Sequence, residues 1–319
     1  MNIPRWIARR EPNWQQLDAL LKQVEKKSIR SLNSGQICQM AGLYRSVAAD
    51  LARAKTHQVG NLLIQDLQKL TARAYTQVYQ GSRPQDWQGV IEFWRWGLPA
   101  VVRETWVYTA WATGIFLTTA LVAWWYAWGD PVFMSLMVPQ SLISQVRDRQ
   151  ELWMGSIVGV EPWASSNIMV NNLSVAFKAV AGGITGGIYT IYILGLNGLH
   201  IGTIATLVGQ HHLAYPFWAF VFPHGALELP AIFLAGGAGL LIGKALVFPG
   251  EYRRRDAIKI YGTQAAQLLF GVVALLILAG IIEGFFSPSP WIPEPIKYMT
   301  GMGLFIVLIS YCGNKKVEA

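Results

Sequence analysis

From about residue 104 onward the chain is a succession of apolar runs, each about 20 residues long, and runs of that length leave few folds open. In hydrocarbon every backbone N–H and C=O must be satisfied within the protein, so such runs become spanning helices. Composition agrees, with 53% hydrophobic residues, 14% charged residues and a mean hydropathy of +0.32. These values exclude an ordinary soluble enzyme and predict an all-α polytopic membrane protein with about six membrane segments. The opening MNIPRWIARREPNW is charged and has no apolar core, so the first span is expected to be internal, with no cleavable signal peptide. Cys38 and Cys312 are read as free thiols, without disulfide or metal spacing.

The charge divides the chain in two. Residues 1–103 carry 15 Lys and Arg against 7 Asp and Glu, whereas residues 104–319 carry 11 of each, so the whole net charge of +8 sits in the first region. Three amphipathic repeats run through it: Trp14, Leu17, Leu20, Leu21, Val24; then Ile37, Met40, Ala41, Tyr44, Ala48, Leu51; then Leu63, Leu67, Leu70, Ala74, Val78. They predict a small cytoplasmic helical bundle, with turns at Asn33-Ser34-Gly35 and Val59-Gly60-Asn61 and an end at Gly81-Ser82-Arg83-Pro84. Residues 86–103, with Trp87, Phe93, Trp94 and Trp96 between Arg95 and Arg103, read as an interfacial amphipathic helix that completes this region. The basic residues point to anionic lipid; no nucleic-acid motif is present.

In the membrane region, 104–319, spans are expected over about 104–128, 171–194, 229–248, 258–285 and 299–312. Gly182, Gly183, Gly186 and Gly187 form two overlapping GxxxG pairs in the second of these. With Gly236, Gly239 and Gly243 they are read as close helix contacts, within the chain or across a homodimer. The stretch 195–215 is apolar but interrupted by Gly198, Gly202, Gly209 and His211-His212, so it reads as a re-entrant helix or part of a broken span. The Arg253-Arg254-Arg255 cluster, the Lys315-Lys316 tail and the basic N-terminal region orient both termini to the cytoplasm, leaving 129–166 outside. An even number of crossings follows, and six fits if 195–223 contains one.

Within this apolar background lie His224 and Glu228, four residues apart and so on one helical face, and Glu283 near the end of a later span. An ionisable group at bilayer depth is normally turned inward and paired, which makes this trio the candidate functional polar cluster. Imidazole and carboxylate can relay protons or ligate a cation. Three ligands make a thin metal site, however, and the residues favour a packing role, with side chains satisfying backbone groups freed by a break at Pro223. No catalytic, cofactor or metal residue is assigned. Lys178 is a candidate counter-ion or a snorkelling lysine, Lys244 is expected to snorkel toward the arginine cluster, and His211-His212 read as loop residues.

The order Asn171, Gly182, Gly186, Asn197-Gly198, Pro223-His224-Gly225-Ala226-Leu227-Glu228-Leu229-Pro230-Ala231, Ala235-Gly236 to Gly239, Pro249-Gly250 and Ile282-Glu283-Gly284-Phe285 with Ser287-Pro288 resembles the stage II sporulation protein M family. Upstream, Tyr44-Arg45, Asp50-Leu51-Ala52-Arg53-Ala54 and Arg73-Ala74-Tyr75 are similar to the helical region of its longer members. The resemblance implies a multi-pass protein of the bacterial inner membrane with a cytoplasmic N-terminus. It also implies a non-enzymatic scaffold that recruits partner proteins in cell-envelope remodelling, without carrying a sporulation role across.

Two functions from different classes follow. One is the scaffold or adaptor, whose partners are membrane lipids, other proteins and a second copy of the chain. The other is a permease using discontinuous helices at Pro223 and the His224, Glu228, Glu283 cluster. An intramembrane hydrolase fits least, since HxxxE lacks the second histidine of HExxH and no serine or cysteine stands beside a suitable base.

Overall fold

Each amphipathic repeat closes into a helix once its apolar stripe has a neighbour to bury against. The computed structural model describes residues 3–27, 31–80, 87–157 and 159–315, and among them the regular structure is helical throughout. The chain forms two compact units, Met1–Val90 and Ile91–Ala319.

In the first unit, helices α1 (Ile3–Lys27), α2 (Ser34–Thr56) and α3 (Asn61–Tyr75) share a core of Leu17, Leu21, Val24, Met40, Val47, Ala54, Leu67 and Ala74. The Asn33 turn is a capping box: its side chain accepts from the Gln36 amide, and the Gln36 side chain accepts from the Asn33 amide. Asp50 is fully buried among these apolar groups because it is fully partnered. Arg10 Nε donates to both its oxygens at 2.9 Å and Trp14 Nε1 donates at 3.0 Å. A more open cluster joins α3 to α1, where Arg73 meets Asp18 at 2.6 Å and Glu25 at 2.9 Å. Lys22 and Arg73 hold the Asp18 carboxyl below its ordinary range, and Arg73 does the same for Glu25. The expected end at Gly81–Pro84 lies outside the described residues, as does Lys316 of the basic tail.

The second unit begins with α4 (Trp87–Glu92), which crosses the unit boundary, a π-helical turn Phe93–Gly97 and α5 (Leu98–Glu104). This segment packs with the membrane helices: Leu98 fills the space over Gly271, Tyr311 donates to the Trp94 carbonyl, and Arg103 donates to the carbonyls of Cys312 and Asn314. Residues 91–103 therefore group with the membrane unit, although their aromatic and basic composition placed them with the N-terminal region.

Among the described residues six helices are long and apolar enough to cross a membrane: Trp106–Gly129, Glu161–Thr185, Ile188–Gln210, Ala214–Val247, Arg254–Phe286 and Glu294–Gly313. They comprise α6 (Trp106–Gly129), α9 (Glu161–Ala181) with a 3-10 turn, α10 (Ile188–Gln210), α11 (Ala214–Val247), α12 (Arg254–Ile281) with a π-helical end, and α13 (Glu294–Gly313). The chain is an all-α, multi-pass membrane protein. Between α6 and α9, the short helices α7 (Pro131–Met137) and α8 (Gln140–Arg149) and the residue Val138 after α7 bury Met134, Val138, Ile143 and Val146 against Ile204, Leu207, Phe217 and Phe220.

Three sequence expectations change. The single span over 171–194 is divided between α9 and α10, because Gly186 and Gly187 adopt φ of +70° and +91° and turn the chain. Glycine enters that left-handed region without the Cβ penalty. Consequently 195–215 is neither re-entrant nor broken, since 188–210 is one continuous helix. Nor does the chain break at Pro223. Helix α11 runs for 34 residues through Pro223 and Pro230, a length of about 51 Å at 1.5 Å per residue. Each proline removes one amide donor, freeing the carbonyls of Ala219 and Ala226, which close packing in the bundle tolerates.

Glycine brings the helices into backbone contact. A Cβ on Gly202 would fall on the Ala120 carbonyl of α6, one on Gly198 on the Phe116 carbonyl, one on Gly183 on the Gly239 carbonyl, and one on Gly239 on the Ala179 carbonyl. Gly182 abuts Thr190, Gly236 abuts Leu194 and Ala112, and Gly243 abuts Gly186. All seven glycines read as packing positions thus meet atoms of this same chain, Gly186 against Val247 and Gly187 against Leu240.

Candidate functional site: a buried His, Glu, Glu cluster

Helix α11 carries His224 and Glu228 one turn apart, and its prolines do not disturb that register. Helix α12 runs antiparallel to it and ends in a π-helical turn, Ile282–Phe286, closed by the Ser287 amide donating to the Ile282 carbonyl five residues back at 2.8 Å. Gly284 lets this turn sit against Ser165 of α9, whose hydroxyl donates to the Gly280 carbonyl at 2.7 Å. The widened turn carries Glu283 and Ser287 toward α11. A π turn of this kind recurs at functional positions.

His224 is 4% exposed. Its Nδ1 lies 3.1 Å from Ser287 Oγ, and its Nε2 lies 3.7 Å from Glu283 Oε1. The Phe220 ring meets the imidazole edge to face, with centroids 5.5 Å apart. Glu228 joins them, and one ligand atom from each of His224, Glu228 and Glu283 lies within 4.8 Å of the other two. Among the described residues this is the single group of three or more His, Cys, Asp or Glu side chains placed to hold a cation together. Glu283 Oε2 is buried and has no hydrogen-bond partner among the described residues.

The structure adds two residues that the sequence did not single out as functional. Ser287 is fully buried and orients the imidazole. Lys297 of α13 is buried as well and donates to the Ser287 carbonyl at 2.6 Å, fixing the chain as it leaves the π turn. Ser287 follows Glu283 by four residues and comes to the cluster only through the π turn. Lys297 sits among apolar residues near the start of the last span.

The other ionisable residues of the spans stand apart. Lys178 lies on the exposed side of α9. Lys244 donates to the Tyr261 hydroxyl at 3.2 Å and lies over the Tyr261 and Tyr108 rings, so aromatic faces rather than the arginine cluster receive it. His211 and His212 form the turn after α10, with His212 at φ +58°. They belong to no group of potential ligands among the described residues.

His224, Glu228, Glu283 and Ser287 lie within residues 112–288, which match the family described as Stage II sporulation protein M. The chain belongs to that family. Residues 4–80 match a second family, described as a domain of unknown function (DUF8413), which coincides with the three-helix unit. Among curated proteins the chain is similar to two uncharacterised proteins of Methanocaldococcus jannaschii. One is 27% identical over 31% of this chain and 45% of its own length, the other 28% identical over 39% of this chain and 70% of its own length. The chain thus spans under half of the first relative. No solved structure matches.

Proposed function

We propose that this Stage II sporulation protein M family member is a non-enzymatic scaffold or adaptor of the bacterial cytoplasmic membrane, recruiting protein partners in work on the cell envelope. Its N-terminal bundle stands on the cytoplasmic side. Membrane lipids contact the exposed aromatic side chains Trp111, Trp125, Tyr126 and Trp128 of α6, and a second copy of the chain is a candidate neighbour.

The observation that carries this reading is the backbone contact between helices at Gly183, Gly198, Gly202 and Gly239. Helices pressed together main chain to main chain hold as one packed group and do not slide past one another. They suit a fixed platform. The first unit supports the same reading because it has its own core and a groove of about 460 Å³ between α1 and α3, bordered by Ile7, Trp14, Leu63, Asp66 and Lys69.

The permease reading keeps one observation in its favour, the buried His224, Glu228 and Glu283 cluster. It loses the discontinuous helix, since α11 is unbroken at Pro223. A photo-crosslinking residue at Leu62, which is 80% exposed on α3, tests the scaffold reading in cells. Discrete protein adducts that recur between preparations are expected; labelling of lipid alone or no adduct refutes recruitment through this bundle.

A further inference from the structure

We propose that His224, Glu228 and Glu283 form a binding site for one divalent first-row transition cation, of which Zn2+ is the fitting probe. The cation clamps α11 to the π-helical end of α12. Bond lengths are the first support. Nitrogen and oxygen ligands of a tetrahedral zinc sit about 2.0–2.2 Å from the metal, which separates any two of them by roughly 3.3–3.6 Å. His224 Nε2 and Glu283 Oε1 are 3.7 Å apart, too far for a hydrogen bond and close to the spacing of two ligands with an ion between them.

The hydrogen bonds give the second support. With its proton on Nδ1, His224 donates to Ser287 Oγ at 3.1 Å and presents the Nε2 lone pair toward Glu283. Fixing the tautomer through the far ring nitrogen is how ligating histidines are usually oriented. Lys297 secures the Ser287 main chain in turn. Charge is the third support. Two carboxylates and one divalent cation with a neutral imidazole sum to zero, the balance an apolar bundle favours. Glu283 Oε2, buried without a hydrogen-bond partner among the described residues, is an oxygen available to the ion. Imidazole with two carboxylates suits Zn2+ and its neighbours in the first row better than a soft, thiolate-seeking ion. Glu283 lies within one turn of the end of the Arg254–Phe286 span, which sets the site beside the α12 to α13 turn.

The test uses the full chain in mild detergent, stripped with a chelator and titrated with Zn2+ against a competing chromophoric chelator. One equivalent per chain is expected for the wild type and for a His211→Ala, His212→Ala control. Glu283→Gln and His224→Ala should each weaken uptake by at least about 100-fold, and Ser287→Ala by about 10–100-fold. Where a site variant does not fold, Zn K-edge absorption of the wild type decides: a nitrogen and oxygen shell with one imidazole is expected. Failure of the wild type to take up an equivalent, unchanged uptake by folded Glu283→Gln, or a shell containing sulfur or two imidazoles overturns the proposal. Cation uptake is independent of partner recruitment, so the scaffold reading can fail without it.

Discussion

Replacing Gly202 with alanine tests whether glycine sets the distance between α6 and α10, the most extensively packed pair of helices. A Cβ there would stand 2.8 Å from the Ala120 carbonyl carbon and 3.0 Å from its Cα, and would fall on its oxygen. Ordinary carbon contacts lie at about 3.5–4.0 Å, so α6 must retreat by about 1 Å. Overpacking of this kind costs about 1–3 kcal/mol. The retreat also strains two interhelical hydrogen bonds, Thr206 Oγ1 to the Trp124 carbonyl at 3.0 Å and Gln210 Nε2 to the Trp128 carbonyl at 3.1 Å. Such bonds contribute about 0.6 kcal/mol each in a membrane protein, and their strain brings the expected loss to about 2–4 kcal/mol. Equilibrium unfolding in bicelles measures it, with Gly114→Ala as control, because nothing lies within 4 Å of a Cβ at Gly114. The control carries the same gain in helix propensity, so the difference between the two variants isolates the contact. Equal stability of Gly202→Ala and Gly114→Ala would refute the reasoning.

Other expectations concern particular residues. Asp50→Ala leaves the buried Trp14 Nε1–H without its acceptor, and the first unit should lose about 1–3 kcal/mol in denaturant unfolding; an unchanged midpoint contradicts the partnering described. Because Asp18 and Glu25 are held below their ordinary values, their pairing stabilises the folded state above the unfolded carboxylate range and is lost as pH falls through the folded values. The thermal midpoint of this unit should therefore fall below about pH 4, and Arg73→Ala should flatten that acid limb; an identical limb in the variant would count against the pairing. Arg103→Ala removes the donor to the carbonyls of Cys312 and Asn314, and hydrogen exchange at the end of α13 should quicken while α6 stays protected.

The period and length of the apolar pattern carried much of the fold. The span read at 104–128 forms at Trp106–Gly129, and the one read at 258–285 forms at Arg254–Phe286. Where glycine clusters, the pattern could not decide. Gly182, Gly183, Gly186 and Gly187 have the spacing of a packing motif, yet the first two make close contacts and the last two turn the chain. The same missing Cβ permits both. Pro223 read as a break because it removes a donor, but whether the freed carbonyl is tolerated depends on neighbours that sequence does not display. At the site, the register of His224 and Glu228 follows from spacing alone. Their approach to Glu283 depends on how α11 and α12 pack, and the roles of Ser287 and Lys297 depend on the π turn, which no local residue pattern announced.

On the function proposed above, the membrane unit serves as a fixed platform and not as a carrier. Proteoliposomes containing the wild type or Glu228→Gln, assayed for proton and cation flux beside the Leu62 crosslinking pattern of each in cells, test it most directly. Flux at the level of empty liposomes and the same protein adducts are expected from both proteins. Flux from the wild type that Glu228→Gln abolishes, with folding retained, would contradict it.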